Sequence, residues 1–138
     1  MNIKMKFLGI AAYLVLFVSC NAFENENPDL LAFQGVWKLE SFNGGIAGRS
    51  FDMDTIDYSI TLEVIGEKAK WYIDDEVEVK YDIITTSEDD ALLKLNPIET
   101  NKEVFSLPRY LYKIENSEAR IADSCYDCYS YFFTRKRD

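Results

Sequence analysis

Residues 56–64 read IDYSITLEV, and the alternation of apolar and polar side chains along them decides the class of fold. Residues 77–83 read VEVKYDI and alternate in the same way. Period-two alternation is typical of a β-strand that has one face on a core and the other in water. Apart from a turn at residues 29–32, the chain shows no helical period. The sequence therefore predicts an all-β protein.

Turn signals between the apolar runs predict eight strands. They cover residues 35–42, 57–65, 70–74, 77–85, 91–96, 105–115, 120–123 and 129–135. Most connectors are short, which favours antiparallel neighbours, and the two longer links are residues 43–55 and 97–104. The predicted fold is an eight-stranded up-and-down antiparallel barrel, because closure removes exposed strand edges. A two-sheet β-sandwich is the alternative.

The first twenty residues have the layout of a secretory signal. Lys4 and Lys6 precede twelve uncharged, almost wholly apolar residues, 7–18, and Ser19 and Cys20 follow. Twelve residues are too few for a membrane-spanning helix, which needs ~20. We therefore expect a signal peptide over residues 1–19, a flexible polar tether over residues 20–32 and the barrel domain over residues 33–138.

Residues 16–20, LFVSC, resemble the lipobox of bacterial lipoproteins, although Phe17 stands where that family prefers Leu. The resemblance implies that Cys20 is acylated and anchors the chain to a membrane, since each buried methylene contributes ~0.8 kcal/mol. An ordinary signal peptide is the alternative. The acidic residues after Cys20 are similar to the export signal of some outer-membrane lipoproteins. The expected location is the outer membrane of the cell envelope, on either face.

Composition excludes several functions. The chain has 15 Lys and Arg, 24 Asp and Glu and no His, and loss of Lys4 and Lys6 with the signal peptide leaves a net charge of −11. Without His there is no Ser-His-Asp relay and no HExxH zinc site. The negative charge repels phosphate backbones, which excludes nucleic acid as a partner. We expect a protein that is not an enzyme and that needs no cofactor or metal.

Residues 33–39, FQGVWKL, contain a Gly-x-Trp that resembles the first-strand motif of lipocalins and of short bacterial lipocalin-like domains. The resemblance implies that Trp37 closes one end of an eight-stranded barrel and that a basic residue near the last strand lies across its ring. Arg135 is the first choice for that residue and Arg137 the second. A cation over an indole contributes ~0.5–2 kcal/mol. The Thr-Asp-Tyr motif of larger lipocalins is absent, which favours the compact domains.

Cys125 and Cys128 are two thiols three positions apart. Outside the cytosol such a pair favours a disulfide that clips a hairpin. Reduced thiols are the alternative. A thiol oxidoreductase is disfavoured, because the pair lies between strands rather than at a helix N-terminus, and Asp127 opposes a thiolate. The acidic group Asp52, Asp54 and Asp57 is interpreted as a solvated turn, not a calcium loop.

An eight-stranded barrel is either filled by its side chains or holds one small ligand. The glycine-rich residues 43–54 predict a lid over the open mouth, with Arg49 as a gate, and a flexible solvent loop is the alternative. The predicted ligand-binding residues are Arg49 and the aromatic residues expected to point inward, namely Tyr58, Trp71, Tyr81, Phe105 and Tyr131. Two functions remain open: binding of a small apolar ligand, or contact between a filled barrel and a partner protein of the envelope.

Overall fold

The computed structural model describes residues 27–101, 107–125 and 127–137. They form a short helix and nine β-strands: α1 (Pro28–Phe33), β1 (Gly35–Gly44), β2 (Arg49–Asp52), β3 (Ile60–Ile65), β4 (Lys68–Ile73), β5 (Glu76–Thr85), β6 (Leu93–Thr100), β7 (Arg109–Glu115), β8 (Glu118–Asp123) and β9 (Tyr129–Arg135). Within these ranges no helix has the length and apolar character that crossing a bilayer requires. The predicted signal peptide, Cys20 and Phe105 lie outside the described residues.

The strands close into a barrel. From β3 to β9 each strand pairs antiparallel with the next, and β9 returns to pair with β1. The first half of β1 pairs with β3, and its last residues, Ser41 to Gly44, pair with β2. The predicted eight-stranded antiparallel barrel is confirmed, formed by β1 and β3–β9, and β2 is an additional strand.

Side chains fill the described interior of the barrel. The register sets Trp37 opposite Leu62, Leu62 opposite Trp71 and Trp71 opposite Val79, so that alternate residues of neighbouring strands meet inside. The largest fully buried side chains are Trp37, Trp71, Tyr81, Phe33, Phe133, Leu39, Leu62, Leu93, Leu95, Leu111, Ile121 and Val64. Full burial of one large apolar side chain stabilises a fold by about 1.5–3 kcal/mol. The core therefore runs along the barrel axis from the end at Trp37 toward the opposite end.

Helix α1 and Trp37 form the closed end. The indole Nε1 of Trp37 donates to the backbone oxygen of Phe33 at 2.8 Å. The guanidinium carbon of Arg135 lies 4.3 Å from the centroid of the Trp37 ring, and its nitrogens donate to the backbone oxygens of Ala32 and Gln34. Arg135 thus covers the indole and satisfies carbonyls at the end of α1 that the helix leaves free.

Several predicted boundaries differ from the structure, three of them in the segments expected to lie between or before strands. Residues 28–32 of the predicted tether, where only a turn at residues 29–32 was expected, form α1 together with Phe33, because Asn27 caps the helix by accepting from the backbone of Asp29 at 2.9 Å. The link 43–55 is a hairpin rather than an open loop, since β1 is longer than β3 and leaves an edge with which β2 pairs. Residues 97–100 of the second long link continue β6 along β5.

Candidate functional site

The open end of the barrel carries a depression of about 570 Å³. Its described lining is Gly44, Gly45, Ile46, Ala47, Arg49, Phe51, Asp127 and Tyr129. The β1–β2 hairpin supplies one wall, and the connection from β8 to β9 supplies the other. We call this depression the mouth. Small-molecule sites usually have volumes of about 300–1,000 Å³ and combine apolar walls with a few polar groups. The mouth has a volume and a lining of this kind and is open to solvent.

Aromatic rings form the rigid part of the mouth. Phe42 stacks on Phe51 with ring centroids 4.9 Å apart, and Tyr129 meets Phe42 edge to face at 5.6 Å. Tyr131 continues the cluster inward, 6.1 Å from Phe42 and 5.2 Å from Trp71. Each such pair contributes about 0.5–1.5 kcal/mol beyond its burial, which holds the rings in place. A planar or apolar ligand would meet preformed ring surfaces here.

Arg49 is the cation of the described mouth lining. It begins β2 opposite Gly44, and its side chain is exposed to solvent. No ion pair joins Arg49 to another described residue. Its guanidinium is therefore available to an acceptor group of a ligand. Arg49, the predicted gate residue, does lie at the rim of the mouth, but it belongs to the paired β1–β2 hairpin rather than to an open loop.

A buried polar cluster lies below the mouth, around Arg109. Arg109 is 3% exposed, and its Nε donates to Oδ1 of Asp123 at 2.8 Å. The Tyr131 hydroxyl donates to Oδ2 of the same carboxylate at 3.1 Å, and the guanidinium also donates to the Tyr81 hydroxyl. The guanidinium carbon stands 3.9 Å from the centroid of the Trp71 ring. The charge of Arg109 is thus compensated by a carboxylate, two hydroxyls and an aromatic face.

Burial sets the protonation of the two tyrosines in this cluster. Burial raises the pKa of Tyr81 to about 12, even though the neighbouring Arg109 opposes the rise. Burial likewise raises the pKa of Tyr131 above its ordinary value. Both hydroxyls are therefore neutral at physiological pH and act as hydrogen-bonding groups rather than as bases. Nε1 of Trp71 is buried and has no hydrogen-bond partner among the described residues.

The structure brings three of the predicted ligand-binding residues together: Trp71, Tyr81 and Tyr131 all contact Arg109 inside the barrel. They form the packed floor below the mouth, whereas Arg49 lies at the rim. Phe105 is outside the described residues. The buried Arg109 and its partly buried partner Asp123 were missed. A sequence signal existed, since Arg109 stands two positions before the apolar Leu111 and so faces the same side of β7.

The prediction that Tyr58 points into the barrel was wrong. Tyr58 is 43% exposed and precedes β3, which begins at Ile60. The partner strand β4 ends at Ile73. The bond from the backbone of Asp74 to the Ser59 oxygen, at 2.8 Å, is the last backbone–backbone bond between these two described segments, so Tyr58 lies beyond the paired part of the sheet. Tyr58 lines a separate shallow depression beside Asp54 and Asp57. It takes no part in the mouth.

Cys125 and Cys128 form a disulfide in the connection between β8 and β9. The disulfide borders the mouth, because Asp127 and Tyr129 line it. In the acidic turn, Oδ1 of Asp52 accepts from the backbone of Asp54 at 3.0 Å. Within the described ranges, no group of three or more His, Cys, Asp or Glu side chains is placed to hold a metal ion.

Gly44 allows the two walls of the mouth to approach closely. Its φ is +137°, and a Cβ at this position would lie 2.3 Å from the backbone oxygen of Cys128. Gly44→Ala should therefore lower the free energy of unfolding by about 3 kcal/mol, because neither the backbone conformation nor the neighbouring backbone can accommodate the methyl group. Urea unfolding followed by tryptophan fluorescence measures the loss.

Gly48→Ala is the matched control for Gly44→Ala. Gly48 also has a positive φ, +58°, but nothing lies within 4 Å of a Cβ built there. Its replacement should cost only the conformational penalty of about 1 kcal/mol. Equal losses for the two variants would mean that the walls do not touch at Gly44.

Comparison of the chain with family models, with curated proteins and with solved structures found no match. The fold and the site define a small closed β-barrel with a filled interior and an aromatic depression at its mouth. The mouth offers a ligand two kinds of contact, the aromatic ring surfaces and the Arg49 guanidinium.

Proposed function

We propose that the chain is a lipid-anchored, lipocalin-like binding protein of the bacterial cell envelope that has no catalytic activity and holds a small ligand with an apolar, ring-shaped body at its mouth. The observation that carries this proposal is the depression of about 570 Å³ walled by Phe51 and Tyr129. The filled interior favours a ligand at the rim, because Trp71 and Tyr81 already occupy the space below.

Two features support the lipocalin-like and lipid-anchored parts of the proposal. Gly35 and Trp37 stand at the start of β1, and Arg135 of the last strand lies on the Trp37 ring, which is the arrangement that the family resemblance implies. The LFVSC stretch ending at Cys20 supports the anchor.

Acylation of Cys20 predicts that labelled fatty acid enters the protein in cells and that Cys20→Ala abolishes both the label and flotation with membranes.

The chemistry of the buried cluster supports a role in binding rather than catalysis. The Asp123 carboxylate already accepts from Arg109 and Tyr131, so it is not a free base. The raised pKa values of Tyr81 and Tyr131 keep both phenols neutral. An acid–base catalyst instead needs a group whose pKa lies near the working pH.

Fluorescence titration with anilinonaphthalene sulfonate tests the mouth, because this probe joins aromatic rings to an anion. Phe51→Ala should weaken binding about tenfold, the equivalent of one lost ring contact of about 1.4 kcal/mol. Arg49→Ala should weaken it about fivefold, and Arg49→Lys less, since a lysine keeps the charge without the planar guanidinium.

The matched controls for this titration are Tyr72→Ala and Arg137→Ala, which remove an aromatic ring and an exposed cation away from the mouth. Both should leave the affinity unchanged. Native mass spectrometry of protein purified without its acyl chains should in addition show a small molecule that Phe51→Ala fails to retain. Equal affinities for Phe51→Ala and Tyr72→Ala would contradict the proposal.

A second function, contact with a partner protein of the envelope, is favoured by Ile46, which is 94% exposed at the tip of the β1–β2 hairpin. A large apolar side chain at such a tip is a candidate anchor for an interface. Under this alternative, Ile46→Glu abolishes capture of a specific envelope protein in a pull-down, whereas Ile98→Glu leaves the capture intact.

A further inference from the structure

The closed end of the barrel carries an exposed apolar face, which we call the basal face, formed by Leu31, Ile65 and Ile84. These side chains are 52%, 67% and 47% exposed, respectively. Leu31 and Ile84 line a groove of about 590 Å³ between α1 and the ends of the neighbouring strands, and Ile65 precedes Gly66, which also lines it. Large apolar side chains that cluster on one exposed face indicate a contact surface.

Hydrogen bonds fix the basal face as one rigid unit. The Gln34 side chain donates to the backbone oxygens of Leu30 at 3.0 Å and Gly66 at 2.9 Å, and it accepts from the backbone of Gly66 at 2.7 Å. Helix α1 is thereby tied to the turn between β3 and β4. Asn27 adds a bond to the Thr85 hydroxyl at 3.3 Å. The segments that carry Leu31, Ile65 and Ile84 are therefore joined to one another by hydrogen bonds next to these residues.

The chain enters the barrel at this same end. Asn27 lines the groove, and Cys20 stands seven positions before it in the sequence. Seven residues span at most ~25 Å even when fully extended. An anchor at Cys20 therefore holds Asn27, at the edge of the groove, within ~25 Å of the anchored position. The mouth lies at the opposite end of strands such as β5, whose ten residues extend ~33 Å.

We propose that the basal face rests on the lipid surface that holds the anchor, so that the mouth points away from the membrane. This inference rests on the lipid anchor of the proposed function. Because the tether is short, the basal face stays at a high effective concentration near the lipid surface. Weak apolar contacts therefore suffice to set the orientation.

The contact between the basal face and the bilayer is apolar rather than electrostatic. Exposed Lys136 and Arg137 follow β9 at this end, but the acidic turn Glu88–Asp90 lies there as well. The three carboxylates of this turn outnumber the two cations, so these charges do not attract this end of the barrel to anionic lipid. The orientation should therefore change little between low and high salt, where a purely electrostatic contact would be screened.

Methyl NMR on nanodiscs tests the orientation. The chain from Cys20 onward is coupled through the Cys20 thiol to a maleimide lipid in phosphatidylethanolamine–phosphatidylglycerol discs that carry gadolinium-chelating lipids, with Cys125 and Cys128 protected as their disulfide. The Ile65 and Ile84 methyl signals should lose more than about half of their intensity, whereas Ile46 at the mouth should keep most of its own. Broadening of Ile46 equal to that of Ile84 overturns the inference.

Ile84→Glu and Ile98→Glu form a matched pair for this measurement, since both isoleucines are about half exposed and lie on adjacent strands, with Ile98 toward the mouth. Ile84→Glu should reduce the difference in broadening between Ile65 and Ile46 by about half or more, and Ile98→Glu should preserve it. If Ile84→Glu fails to fold, Ile65→Glu serves the same purpose, with the Ile84 methyl signal compared with that of Ile46. A preserved difference in a folded Ile84→Glu or Ile65→Glu variant overturns the inference.

Failure of this inference can be told apart from failure of the proposed function. The maleimide lipid supplies the anchor chemically, so the orientation is measured whether or not cells acylate Cys20. Absence of labelled fatty acid at Cys20 contradicts the natural anchor alone. Normal acylation together with equal broadening at both ends contradicts the orientation alone.

Discussion

Asp123→Ala is expected to lower the free energy of unfolding by about 3–5 kcal/mol. The substitution removes the carboxylate that accepts from Arg109 at 2.8 Å, while the guanidinium stays inside the barrel. Loss of one partner of a buried ion pair leaves a charge that the low-dielectric interior cannot solvate. Urea unfolding at constant ionic strength measures the change.

The double variant Arg109→Met/Asp123→Leu tests whether the loss in Asp123→Ala comes from the unpaired charge of Arg109. Apolar replacement of both partners should recover most of the loss, because the desolvated charge is gone. Glu99→Ala is the surface control: Glu99 pairs with Lys80 at 3.3 Å in solvent, and its loss should cost at most about 1 kcal/mol. A loss for Asp123→Ala as small as that for Glu99→Ala would show that water reaches Arg109.

Trp37→Ala is expected to cost about 3–5 kcal/mol, because the fully buried indole closes one end of the barrel. The variant loses the bond from Nε1 to the Phe33 oxygen and the ring under Arg135. It also leaves a cavity below α1 that the surrounding strands can fill only in part. Thermal or urea unfolding measures the loss, and amide exchange at residues of α1 should accelerate.

Trp37→Phe and Arg135→Met separate the contributions at the closed end. Trp37→Phe keeps an aromatic ring but loses the hydrogen bond, and should cost about 1–2 kcal/mol. Arg135→Met keeps apolar cover but loses the cation and two donors to carbonyls, with a similar cost. A Trp37→Ala loss below that of Trp37→Phe would contradict the role of the indole as the closing residue.

Local pattern was enough to predict the main architecture. Alternation at residues 77–83 follows directly from the pleat of a strand with one wet face, and β5 indeed places Val79 and Tyr81 inward. Short polar connectors allow only antiparallel neighbours, which makes the barrel the simplest arrangement. The start and end of β9, residues 129 and 135, were predicted to the residue for the same reason.

The mouth depended on pairings that the sequence does not display. Strand β2 forms because the last residues of β1 extend past β3 and leave an edge free, and that edge exists only in the assembled sheet. Tyr58 stays outside because β3 begins only at Ile60, where its partner strand β4 ends at Ile73. Arg109 is tolerated inside because Asp123 and Tyr81, from β8 and β5, reach the same point.

The sequence by itself determined the all-β class and the sides of most strands, since each depends on neighbours one or two residues apart. Only the tertiary structure decided that the described interior is filled, that the mouth is walled by Phe51 and Tyr129, and that a buried guanidinium lies beneath it. The physical reason is that these properties arise from side chains distant in the chain, whose packing and charge compensation exist only after the barrel has closed.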